Sequence, residues 1–241
     1  MAPLQTILIT GCSANGIGSA LAQTLADQGH HVFATARSSS KIPSSLAALS
    51  NVTVLPLDLH GAGLDVLVNN AGAGYAVPLL DVDLTQAQQV DDTDIWGPAW
   101  ARWCPRRGST LRLELAPLGV SVATLMIGTV TTPFHANEPQ LILPSGSWYA
   151  AIVETISRWG TGEAGPTGCS AAELAQAIVG DVLGATGAGM FWRGPNCGAV
   201  RFVSKWAPGW LLDKMLSGGQ GLDQLAAGKP SMSCLTGWDG D

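Results

Sequence analysis

The chain predicts an α/β fold on a doubly wound parallel sheet. Three observations predict it. A glycine-rich turn, Thr10-Gly-Cys-Ser-Ala-Asn-Gly-Ile-Gly18, joins the apolar run Leu4–Ile9 to a segment of helical periodicity. Further short apolar runs alternate with helical segments, as repeated strand–helix units require. Charged residues make up only 12% of the 241 residues, which suits strands buried on both faces.

The elements follow in order. Leu4–Ile9 is the first strand. In the turn, Gly11 permits a conformation that a side chain would block, Gly16 lets backbone N–H groups approach a pyrophosphate, and Gly18 allows close helix–strand packing. The next helix stacks Ile17, Leu21 and Leu25 on one face and stops at Gly29, with its N-terminus toward the anion. His31–Ala36 is a second strand that runs into Arg37, about twenty residues past the turn, where such folds read the adenosine ribose. An acid there favours NAD and a guanidinium pairs with the 2'-phosphate of NADP, so Arg37 predicts NADP. A solvated strand-end arginine is the plainer alternative. Val52–Leu59 and Leu64–Val68 read as the third and fourth strands, ending in Asp58 and in Asn69-Asn70-Ala71-Gly72. Asp58 is placed near the adenine edge, and the asparagines are placed to tie strand ends to the cofactor. As isolated residues they would be ordinary turn formers.

Downstream, a helix begins near Ser109, and Ser147–Trp159 and Ala171–Leu183 read as two more, the last opened by the capping-box pair Ser170 and Glu173. Gly189–Trp192 is the last strand. Val200, Val203 and Trp206 then form an apolar stripe, which Pro208 separates from Trp210–Leu216. The stripe either packs over a substrate cleft or, with Arg201, Lys205 and Lys214 alongside, rests on a membrane surface across 199–216. Residues 1–227 are expected to form one domain with 145–227 as its substrate-side helices, and 228–241 a frayed tail.

A net charge of −6 without Lys/Arg clusters argues against nucleic acid. The five cysteines (12, 104, 169, 197 and 234) form no Cys-x-x-Cys pair, so they predict reduced thiols in a cytoplasmic setting. The four histidines (30, 31, 60 and 135) lack ligand spacing and read as surface or loop residues, with no metal site. The start of the chain lacks a signal-peptide pattern, and no apolar run reaches bilayer length. Ser13 and Ser147 lie near glycines but outside any Gly-x-Ser-x-Gly, which disfavours a hydrolase.

The turn Thr-Gly-x-x-x-Gly-x-Gly and the strand end Asn-Asn-Ala-Gly together resemble the short-chain dehydrogenase/reductase family. The likeness continues through 111–119, 128–134 and 191–196. It is similar to the fungal-type subgroup that includes NADPH-dependent 1-acyl-dihydroxyacetone-phosphate reductases. The resemblance implies a Rossmann-type sheet, an NADP cofactor, and contacts from Gly11, Ser13, Gly16, Ile17, Gly18, Arg37, Asp58, Asn70, Ala71 and Gly72. Ile127–Thr132 matches the segment that borders the nicotinamide in the family, with Ile127 in place of its proline, so Val130 and Thr132 carry over as contacts. It also implies pairing of copies through the two helices that flank the catalytic strand, a region shortened here.

What departs is the chemistry. The family uses a tyrosine to exchange a proton with the substrate oxygen, and because phenol titrates near pH ~10, a lysine four residues on lowers it. Here Tyr75 is followed four residues later by Leu79, and Tyr149 by Val153. Asp94 stands at the family's asparagine position, and no catalytic residue is identifiable. The fifth strand, serine and tyrosine–lysine turn are replaced by residues 97–108, and Pro105 opposes fusing the flanking helices. Between Leu59 and Leu64 the crossover must cover ~22 Å, but five Cα steps reach at most ~18 Å, so the unmodified topology is predicted not to close. Either the chain is a pruned relative with rearranged strands, or coding segments were lost from its gene sequence.

Two functions follow. One is an NADP(H)-dependent oxidoreductase acting on the carbonyl or secondary alcohol of an apolar small molecule, a lipid or secondary metabolite, held in a cleft lined by Trp148, Trp159, Trp192, Trp206 and Trp210. The other is a pseudoenzyme that holds nucleotide without turnover.

Overall fold

The computed structural model describes residues 3–55, 64–92 and 105–227. Its main sheet is four parallel strands in the order β3-β2-β1-β4: β1 is Thr6–Ile9, β2 His31–Thr35, β3 Val52–Leu55 and β4 Val66–Val68. Helix α1 (Ile17–Asp27) links β1 to β2, and the short α2 (Ser44–Ala47) precedes β3.

The strand order β3-β2-β1-β4 is the one that the third-to-fourth crossover was predicted not to reach; residues 56–63, which make that connection, lie outside the described residues.

The sheet register separates two faces. Ile7, Val32, Val52 and Val66 lie abreast, as do Ile9, Ala34, Val54 and Val68, and both rows join the main core. Leu21 and Leu25 of α1 cover this face from one turn apart, beside Leu174, Ala175 and Ile178 of α6 (Ala171–Val182). Burying each such leucine contributes roughly 1.5–3 kcal/mol before ordering costs. The opposite face carries Leu8, Phe33, Thr53 and Leu67 in register. There Leu8 is fully buried while Leu67 is 52% exposed, so cover is lost toward β4.

Among the described residues the main sheet ends at β4. The fifth-strand region falls in residues 93–104, outside the described residues. Among the described residues β4 pairs only with β1, and β5 (Ala123–Ile127) starts a separate parallel pair with β8 (Gly189–Arg193). A smaller pair, β6 (Val130–Thr131) with β7 (Cys169–Ser170), leads into α6. The Ser170 capping box is realised: its hydroxyl accepts from Glu173 N–H at 3.2 Å, and its own N–H donates to the Glu173 carboxylate at 2.7 Å.

Other boundaries shift for local reasons. Helix α3 is Leu84–Asp91, capped by the Asp83 carboxylate. Helix α4 starts at Pro105, not near Ser109, which uses proline where a helix's first turn has no N–H to lose. The helix expected from Ser147 is only Val153–Gly160 (α5), because the Ser147 hydroxyl accepts from Tyr149 N–H and donates to Asp81 at 2.5 Å, holding a turn. Helices α7 (Cys197–Trp206), α8 (Gly209–Ser217) and α9 (Leu222–Ala227) complete the described chain. His30, read as a surface or loop residue, lies in the loop before β2 but is buried, and its Nδ1 accepts from Gln5 N–H at 3.1 Å.

Candidate functional site

The turn after β1 is fastened from three sides. Cys12 N–H donates to the Thr35 carbonyl at the end of β2 (2.8 Å), and Ala14 N–H to the Lys41 carbonyl (2.9 Å). From β4, the Asn70 side-chain amide donates to the carbonyls of Thr10 (2.9 Å) and Gly11 (3.2 Å). The Thr10 hydroxyl in return accepts from the N–H groups of Asn70 and Ala71, each at 3.0 Å. Asn70 and Ala71 therefore brace the turn rather than stand apart from it.

This lock explains two glycines. Gly11 has φ +76°, and an added Cβ would lie 2.7 Å from the Ala71 Cα. At Gly18 an added Cβ would meet Asn70 Nδ2 at 2.5 Å and the Gly11 carbonyl oxygen at 2.6 Å. Gly16 caps α1 with no side-chain hydrogen bond, and the first turn holds no acid. Its N–H groups, beside the half-buried Ser13 and Ile17, keep the donor capacity and positive dipole end that a phosphate requires. The donor set thus fits a dinucleotide pyrophosphate.

Arg37 is exposed two residues past Thr35, beside the strip Ser38–Lys41 that packs on the turn. Cys12 in the turn is fully buried, and burial outweighs its backbone hydrogen bond to push the thiol up to about 12. It remains a neutral packing group at ordinary pH.

Past the ends of β5 and β8, Ile127, Gly128 and Thr129 line an open cleft of about 220 Å³ with Trp192, Asn196, Cys197 and Val200. The Gly128 N–H donates to the Arg193 carbonyl at 2.8 Å, and Asn196 Nδ2 to the Thr129 hydroxyl at 3.2 Å. Behind it the Arg193 guanidinium grips the buried Asp181 carboxylate through two hydrogen bonds of 2.6 and 2.8 Å, which raise the arginine's pKa. Val130 and Thr132, expected to border a nicotinamide, follow directly: Val130 packs against the core, and the Thr132 hydroxyl accepts from Phe134 N–H at 3.4 Å. Asn196 stood out in the sequence only as the end of the family-like stretch 191–196, and Cys197 only among the five cysteines.

Asp58 and Asp94 lie outside the described residues. Tyr75 accepts from Asp83 N–H through its hydroxyl, and neither tyrosine pairs with a lysine among the described residues.

Parallel order β3-β2-β1-β4 with a glycine cradle at the β1–α1 turn defines a dinucleotide-binding α/β fold. The short chain dehydrogenase family description matches residues 5–62. Short-chain dehydrogenase ptmH of Penicillium ochrochloron is 33% identical, covering 87% of this chain and 95% of its own length. Short-chain dehydrogenase PC-15 of Penicillium crustosum is 32% identical, over 86% and 94%. A solved short-chain dehydrogenase of Streptomyces avermitilis superposes with a TM-score of 0.65 at 18% identity, over 95% of this chain and all of that one. L-sorbose reductase of Gluconobacter frateurii, solved with NADPH and L-sorbose, gives 0.56 at 19% identity, over 79% and 95%. The chain belongs to the short-chain dehydrogenase/reductase family. The first alignment runs over 262 positions, more than the 241 residues present, so it opens gaps in this chain.

Proposed function

We propose that the protein is an NADP(H)-dependent oxidoreductase acting on the carbonyl or secondary alcohol of an apolar small molecule. The observation that carries the cofactor reading is the braced turn with Arg37 at its flank. Gly16, Ile17 and Gly18 would offer backbone N–H groups to the pyrophosphate, and Arg37 would pair with a 2'-phosphate. When bound, NADPH supplies the hydride. The apolar substrate class rests on Ile127, Trp192 and Val200 in the cleft.

A second reading, nucleotide binding without turnover, is favoured by one observation: the chain has no Tyr-x-x-x-Lys to handle the proton. Titrating intrinsic tryptophan fluorescence with NADPH and NADH tests the cofactor. Saturable NADPH binding is expected, with Arg37→Asp losing the preference for NADPH by about tenfold or more, and a flat titration rejects the site. Following NADPH oxidation over a panel of apolar ketones then separates the readings, since turnover supports the first and binding with background rates supports the second.

A further inference from the structure

Helices α7 and α8 turn their largest apolar side chains outward. Val203, Ala207, Leu211 and Leu212 face inward and are half-buried. Phe202, Trp206 and Trp210 are each 67–68% exposed, and Met215 and Leu216 of α8 are exposed too. Five large apolar side chains exposed on two successive helices are more than isolated surface apolar residues explain.

The charge at this patch is the reverse of the chain's. The whole carries −6, yet 197–217 holds Arg201, Lys205 and Lys214 against the single acid Asp213. Arg201 and Lys205 share a shallow cleft of about 180 Å³ with Phe202 and Trp206, and the Lys205 ammonium lies 5.5 Å from the Trp206 ring centroid. Cations bordering exposed indoles match an interface where phosphate headgroups meet acyl chains. At 10 and 9 residues the helices are far below the ~20 a bilayer crossing needs. No helix among the described residues is long and apolar enough to span.

We propose that α7 and α8 form a docking surface for an anionic lipid bilayer, with Phe202, Trp206 and Trp210 entering the headgroup region and Arg201, Lys205 and Lys214 meeting lipid phosphates. A second copy is the poorer occupant, because a two-fold contact would set each copy's cations against the other's. The inference is independent of the cofactor reading.

Co-sedimentation with vesicles tests it. The protein is expected to bind phosphatidylcholine–phosphatidylserine vesicles about tenfold more tightly than phosphatidylcholine alone, and to release at high salt. The double change Trp206→Glu with Trp210→Glu is expected to cut partitioning about tenfold or more. Arg201→Gln with Lys205→Gln should remove the preference for phosphatidylserine. On the unaltered chain, brominated lipids should quench tryptophan emission. Absence of sedimentation with both vesicle types, unquenched emission, or unchanged partitioning of the Trp206/Trp210 variant would overturn the proposal. So would light scattering that shows a dimer dissociated by that variant.

Discussion

Replacing Gly18 by alanine is expected to destabilise the fold by about 2–4 kcal/mol. The added methyl would lie 2.5 Å from Asn70 Nδ2 and 2.6 Å from the Gly11 carbonyl oxygen. The carbonyl is backbone within the turn and has no free rotation, so α1 must move or Asn70 must leave. Departure of Asn70 forfeits two hydrogen bonds, worth ~1 kcal/mol each, and overpacking adds ~1–3 kcal/mol. Better helix propensity returns up to ~1 kcal/mol. Gly16→Ala is the control, since its methyl meets only the Ser13 carbonyl at 3.1 Å. It should change stability by no more than ~1 kcal/mol while lowering NADPH affinity about tenfold, because the methyl occupies space the pyrophosphate needs. Urea unfolding followed by circular dichroism, paired with NADPH titration, reads both quantities. Equal stability losses for the two variants, or a loss below ~0.5 kcal/mol for Gly18→Ala, would refute the lock.

Two other outcomes follow from local chemistry. The Ser170 N–H, then its hydroxyl, holds the Glu173 carboxyl below its usual pKa. A depressed carboxyl contributes stability above its unfolded pKa of ~4.3 and loses it as pH falls through the folded value. The melting-temperature gap between the wild type and Glu173→Gln should therefore be present at pH 7 and close below pH ~4; a gap constant with pH contradicts the capping box. The thiol of Cys12, pushed up to about 12, should resist disulfide exchange reagents at pH 8 in the folded chain. Half-buried Cys169 and Cys197 should react faster than Cys12, and mass mapping that finds Cys12 labelled as fast as they are would show the turn to be open.

The cradle was legible in the sequence because its parts act over short range or through fixed spacing. Gly11, Gly18 and Asn70 appear as motif letters, and the structure shows why each is needed. Strand starts were less legible: the apolar run opens at Leu4, yet β1 begins at Thr6, and hydropathy alone does not register where pairing with β2 starts. The Ser147 turn was missed for a different reason. Its hydroxyl is held by Asp81, 66 residues away, a tertiary contact that overrides local helical periodicity. Likewise the cleft residue Asn196 is set by φ +64° and its bond to Thr129, neither visible in composition.

The bracing of the turn is confined to a few strands. Among the described residues, the hydrogen bonds that brace it come from β1, the end of β2 and its tail, or the end of β4, and none reaches β5 or β8. The covered face is sealed by α1 and α6, which carry the core from the main sheet to β5 and β6 because Leu125 and Val130 pack on the same cluster as Ile7 and Ile9. Leu67, 52% exposed on the opposite face, makes none of these bracing contacts. In a fold where a phosphate cradle and the proton-handling groups stand on different strands, binding and chemistry can change separately, and the contacts of this turn rest on β1, β2 and β4.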